Sequence, residues 1–171
     1  MSIQLKNLKA SFIFKQNLLP KEKQSSKKYI FKLQQMTFTI YKHTPTLLNV
    51  TGIKSLKQLE MCKEMMEKHF DQTIVEVRID NTFFMKKNKL KINLNKIHKN
   101  IKLNHNDIYI PSYNPELFVG MHIRPKDKIF PLVILFSSGT FILMGGKCLD
   151  RIHEAVKIVN NLLNEYETNL I

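Results

Sequence analysis

Thr140-Phe-Ile-Leu-Met-Gly-Gly-Lys-Cys-Leu-Asp-Arg-Ile152, late in the chain, has a counterpart in Leu47-Leu-Asn-Val-Thr-Gly-Ile-Lys-Ser-Leu-Lys-Gln-Leu59. Gly52-Ile-Lys54 and Gly145-Gly-Lys147 lie 93 positions apart. The same offset sets Leu56 on Leu149, Leu59 on Ile152, Cys62 on Ala155, Met66 on Val159 and Phe70 on Leu163. An apolar set that repeats through a whole helix marks two similar halves.

Within each half the spacing of three to four is helical. Leu56, Leu59, Cys62, Met66 and Phe70 form one stripe, and Leu149, Ile152, Val156, Val159 and Leu163 the other. Ser55, three residues before Gln58, predicts a capping box for the first helix, and Asp150 favours the start of the second. Upstream of each helix lies a hairpin pattern. Leu132–Phe136 and Phe141–Met144 flank the tight turn Ser137-Ser-Gly-Thr140; Met36–Tyr41 and Leu47–Thr51 flank the longer turn Lys42-His-Thr-Pro-Thr46. Further strands are expected at Ile3–Phe14, Tyr29–Leu33, Thr73–Asn81, Phe83–Lys86 and Leu117–Ile123. Asn95–Leu103 is expected to be a short helix with Asn95 as its N-cap. Its first-half counterpart is missing, because Gln16–Lys28 is polar, lysine-rich and aperiodic, which predicts a loop or a disordered insertion.

This order lacks the βαβ spacing of parallel sheets and predicts an antiparallel α+β architecture in one domain, residues 1–171. The first repeat covers about 1–72, with the insertion at 16–28, and the second about 73–171. Pseudo-two-fold placement of the copies would join their strands into one curved sheet with both long helices on its convex side. The concave face would then carry alternating apolar residues with nothing over them, the usual mark of a binding face.

The 171 residues carry a net charge of +13 with 43% apolar residues, a folded chain that suits an acidic partner. Residues 1–58 hold eleven lysines against the single acid Glu22, and residues 81–106 hold seven lysines and no acid. Only Arg78, Arg124 and Arg151 are arginines, so the charge is of the point type that suits phosphate more than base edges. Cys62 and Cys148 have no zinc-ligand spacing around them. Both are expected to be buried or partly buried thiols of a reducing compartment. The first residues have no apolar run of signal-peptide length, no segment reaches the length of a membrane span, and Asn49-Val-Thr51 is expected to be a chance match to a glycosylation acceptor. Gly145-Gly-Lys147 lacks the earlier glycine and the following Ser or Thr of a phosphate-binding loop. The six histidines are dispersed without His-Glu-x-x-His, and no serine sits in a nucleophile elbow. Enzyme chemistry has no support in the residues.

Ser112-Tyr-Asn-Pro-Glu-Leu-Phe118-Val-Gly120, Phe136-Ser-Ser-Gly-Thr140 and Met144-Gly-Gly-Lys147 together resemble the second repeat of the TATA-box-binding protein family. The resemblance is strong over 109–166, moderate over 36–82 and weak before Lys28. It implies the saddle fold, minor-groove binding to AT-rich double-stranded DNA, and bending by phenylalanine insertion in a general transcription initiation factor. It assigns Phe118 and Phe136 as the inserting pair, with Tyr29 and Tyr41 at the corresponding first-repeat positions. It places Asn81 and Asn7 on minor-groove acceptors, Arg124, Lys147 and Lys54 on phosphate, and Ile134, Ile142 and Phe83 against the groove floor. Asn49 stands where the family has an apolar groove residue, and Met144 where it has a DNA-contacting threonine. Glu116 and Leu117 match the loop that docks transcription factor IIB, so a factor of that kind and RNA polymerase are implied partners. No cofactor, metal, membrane or small-molecule ligand is implied.

The same sheet aromatics also suit a basic module that stacks single strands or RNA. A third reading is a saddle-fold interaction protein that recruits factors without bending DNA. The lysine, asparagine and isoleucine bias suggests an AT-rich genome, that of a large DNA virus or a divergent parasite, and hence a nucleus, a cytoplasmic virus factory or a virion as location.

Overall fold

The computed structural model describes residues 3–23, 25–104, 109–127 and 130–166. The chain divides into two compact units. One is Leu5–Thr82, and the other runs from Phe83 onward together with the residues up to Gln4.

The first unit contains β1 (Gln4–Phe14), β2 (Lys28–Leu33), β3 (Met36–Tyr41), β4 (Thr44–Ile53), α1 (Leu56–Phe70) and the first part of β5 (Ile74–Lys86). Its strands lie in the order β2-β3-β4-β1-β5, with antiparallel ladders between β2 and β3, β3 and β4, and β4 and β1. Alternation sends Ala10, Phe12, Phe38, Ile40, Leu48 and Val50 to one side. There they bury against Leu59, Cys62 and Met66 of α1. Burial pushes the Cys62 thiol up to about 12. α1 begins as its sequence demands: the Ser55 hydroxyl accepts from the Gln58 amide at 3.0 Å, and the Gln58 side chain accepts from the Lys54 amide at 2.7 Å. Asp71 in the left-handed region, φ 51°, closes its end.

Two first-half expectations need correction. Tyr41 pairs with Thr44, so the turn is only Lys42-His43, and the extra residues are absorbed where the register shifts after Ile40. Leu56 is exposed, because it lies one turn short of the sheet that covers Leu59. The stretch expected to be a loop or a disordered insertion is an ordered loop over its described residues, with a single 3-10 turn at Lys21–Lys23. It is held because Leu18 and Leu19 insert into the core, the Leu18 amide donates to the Pro45 carbonyl at 2.9 Å, and Asn17 Oδ1 accepts from the Leu19 amide at 2.8 Å.

The second unit continues β5 and adds α2 (Leu94–Asn104), β6 (Tyr109–Ser112), β7 (Met121–Pro125), β8 (Leu132–Leu135), β9 (Phe141–Met144) and α3 (Leu149–Tyr166). Its strand order is β5-β9-β8-β7-β6, with antiparallel ladders. Met121, Ile123, Val133, Leu135, Phe141 and Leu143 face Ile97 and Ile101 of α2 and Ile152, Ala155, Val159 and Leu163 of α3. Buried Ala155 and Val159 stand on Cys62 and Met66 at the repeat offset. The two expected strands around Asn81 are one strand, β5. Strand β6 was not expected, since four residues give too little alternation to read. Helix α2 starts one residue earlier than expected, and its cap is Asn93, whose Oδ1 accepts from the Lys96 amide at 3.1 Å. Cys148 is exposed, just ahead of α3 and off its apolar stripe.

Candidate nucleic-acid interface

In the second unit the strand face opposite the helices carries Phe83 and Met85 of β5, Ile142 and Met144 of β9, Leu132 and Ile134 of β8 and His122 of β7. All are half-buried. They form cross-strand rows: Met85, Ile142, Ile134 and His122 in one, and Phe83, Met144 and Leu132 in the next. Half-exposed apolar rows on one strand face are not the state of a finished core.

At one end of these rows two phenylalanines converge. The expected strand Leu117–Ile123 starts only at Met121, because Asn114 organises the preceding residues into a turn. Its side chain accepts from the Glu116 amide at 3.0 Å, and its carbonyl from the amides of Leu117 and Phe118. The turn lifts Phe118 to 41% exposure. Phe136 closes β8, where the amide of Phe136 donates to the Thr140 carbonyl and the amide of Gly139 to the Phe136 carbonyl. The rings of Phe118 and Phe136 meet edge to face, centroids 6.1 Å apart, and Phe118 stacks on His122 at 5.2 Å. Gly120 makes this possible: a Cβ there would stand 2.7 Å from the Phe118 ring and 3.1 Å from both Phe136 and Ile134. Arg124 is exposed and pairs with Ile110, itself 51% exposed. Lys147 is exposed, whereas Glu116 and Leu117 stand on the turn, Leu117 at 84% exposure.

The first unit has the same rows with different chemistry. Ser11, Asn49, Thr39 and Ile30 are cross-strand neighbours, as are Thr51 and Thr37. Lys28 and Lys32 flank Ile30 on β2, all three exposed. The expected wedge at Tyr29 is corrected here. Tyr29 pairs with buried Ile40, as Met121 pairs with buried Leu135, so it lies on the core side and packs against Phe31 at 5.5 Å. Three residues before Met121 stands Phe118; three before Tyr29 stands Ser26. Tyr41 is exposed at the end of β3, 5.4 Å from His43, beside a cleft lined by Lys27, Lys28 and Lys42. Asn7 is exposed and its Oδ1 accepts from the Gly52 amide at 3.0 Å. Gly52 is required there, with φ 93° and a would-be Cβ 2.5 Å from the Gln35 carbonyl oxygen. Lys54 donates to Gln35 Oε1 at 2.7 Å. Asn81 is exposed on β5. Met85, Leu132, His122 and Ile110 escaped the sequence reading. Their signal was alternation with Phe83, Ile134 and Arg124, which only a known register makes usable.

Two units of similar design, each a strand layer with helices on one side only, define a sheet-faced binding protein of the α+β class. The family model described as "Transcription factor TFIID (or TATA-binding protein, TBP)" matches residues 76–166, more than half of the chain. The chain therefore belongs to the TATA-binding-protein family, a family of DNA-binding transcription factors. The TATA-box-binding protein of Aeropyrum pernix is 27% identical over 142 residues, covering 80% of this chain and 66% of that relative. The chain thus spans just under two thirds of the curated relative it matches. Among solved structures, Methanococcus jannaschii TBP superposes with a TM-score of 0.71 at 21% identity, over 96% of this chain and 99% of that one, a likeness of fold.

Proposed function

We propose that the protein is a general transcription initiation factor that binds AT-rich duplex DNA in the minor groove and bends it by inserting Phe118 and Phe136. The observation that carries this reading is the ring pair converging over Gly120 at the end of an uncovered apolar face. Unstacking a base step costs a few kcal/mol, and an aromatic face against a base returns about 1–3 kcal/mol. Two rings are enough to offset one kink. Ile134, Ile142 and Phe83 would lie against the groove floor, with Arg124, Lys147 and Lys54 on phosphate and Asn81 and Asn7 on minor-groove acceptors. Glu116 and Leu117 would dock a protein resembling transcription factor IIB, and through it RNA polymerase.

The test is a fluorescence bend assay on AT-rich and GC-rich duplexes, with single strands as competitors. The expected result is a bend on AT-rich duplex that the Phe118→Ala, Phe136→Ala double variant abolishes while its melting temperature stays close to that of the parent. Preference for single strand would overturn the duplex reading in favour of a stacking module.

A further inference from the structure

The two units differ most in the row that should meet the base edges. In the second unit the row is Met85, Ile142 and Ile134; in the first it is Ser11, Asn49 and Thr39, at the same ladder positions. The hydrogen bonds of the first-unit row fix which of its atoms remain open. Asn49 Nδ2 lies 3.5 Å from the Thr39 carbonyl, which turns Asn49 Oδ1 toward Ser11 Oγ at 3.4 Å. Ser11 has one hydroxyl hydrogen, and Asp80 Oδ2 at 2.6 Å is much the nearer acceptor. With that hydrogen on Asp80, Asn49 Oδ1 is left with acceptor capacity on the uncovered side of the strands.

Minor-groove chemistry makes this consequential. An A·T pair presents only acceptors there, whereas a G·C pair adds the guanine 2-amino donor. An isoleucine or methionine pressed on that amino group desolvates it without a partner, which weakens binding. An amide oxygen gives it one. We infer that the first unit accepts base pairs carrying a minor-groove amino group, through Asn49, while the second unit excludes them, so that the binding site is AT-restricted in one half only. This rests on the reading of the protein as a minor-groove binder.

The experiment changes the DNA before it changes the protein. 2,6-Diaminopurine, which adds the 2-amino group to an A·T pair, is placed at each adenine of an AT-rich duplex in turn, and affinity is read by fluorescence anisotropy. Permanganate oxidation of unstacked thymines locates the step opened by Phe118 and Phe136 and so marks the half under the second unit. Substitutions in that half are expected to weaken binding by about tenfold or more, and those in the other half by about threefold or less. Asn49→Val should raise the penalty in the tolerant half toward tenfold, each penalty being read against the variant's own affinity for the unmodified duplex. Equal penalties in both halves of a duplex that still binds and bends would overturn this inference alone, as would an Asn49→Val protein with unchanged penalties. Failure to bind the unmodified duplex would overturn the minor-groove reading and this inference with it.

Discussion

At the scale of the residue, the position with the most leverage is Gly120, which has no side chain at all. Its backbone is not in the left-handed region, so its requirement is space: the rings of Phe118 and Phe136 and the Ile134 methyl all approach where a Cβ would go. Gly120→Ala should displace the end of the Phe118 ring, which is exposed and free to turn. Thermal unfolding should then report only a small loss of stability, because the nearest atom is the far end of a ring that can turn into solvent, while the DNA bend falls measurably. A loss of stability equal to the loss of bending would instead make Gly120 a folding residue. Such a role was only half legible in the sequence. Phe118 and Phe136 stood out by motif, but their convergence depends on the turn built by Asn114 and on pairing between β7 and β8. Tyr29 shows the limit from the other side. The family resemblance set it at a first-repeat wedge position, yet one step of register decides the face of a strand residue, and its partner Ile40 takes it to the core.

At the scale of the element, the duplication was legible because helix stripes are long. Five apolar positions spaced over fifteen residues survive one departure, and Leu56 and Cys148 fell outside the packed faces without disturbing the rest. Short or aperiodic elements left no such redundancy. The second unit covers part of its strand layer with α2, whereas the first uses a loop whose only apolar pair, Leu18-Leu19, is buried. Two adjacent leucines have no period, so nothing in the sequence separated them from a disordered insertion. Their burial implies a definite cost on removal. Leu18→Ala should destabilise the chain by about 2–5 kcal/mol, read in urea unfolding as a lower midpoint at unchanged slope. If the midpoint does not move, the loop does not plug the core. Lys21 and Lys23, exposed on the same loop, make suitable controls, since their substitution should leave stability within about 0.5 kcal/mol.

At the scale of the whole molecule, charge and wedge are carried by different parts of the sequence. Residues 1–58, with eleven lysines and one acid, hold ten of the thirteen net positive charges, and Lys27, Lys28 and Lys42 line one cleft beside Tyr41. The exposed phenylalanine belongs to the second repeat, while the corresponding first-repeat position is Ser26. Under the proposed function, affinity and bending are therefore separable. Phosphate contacts release counterions and set the salt dependence of binding, by about 0.9 in the slope of log K against log salt per contact on duplex DNA. Inserted rings release none. Replacing Lys27, Lys28 and Lys42 together by glutamine should flatten that slope by up to about 2.7 while leaving the bend angle of the complex unchanged. Phe118→Ala with Phe136→Ala should reduce the bend and leave the slope near that of the parent. The pair of titrations, each run at several salt concentrations on one AT-rich duplex, reads both quantities. A bend that fell with the lysines, or a slope that fell with the phenylalanines, would mean that the two repeats share the work of deformation, as they would in a symmetric clamp.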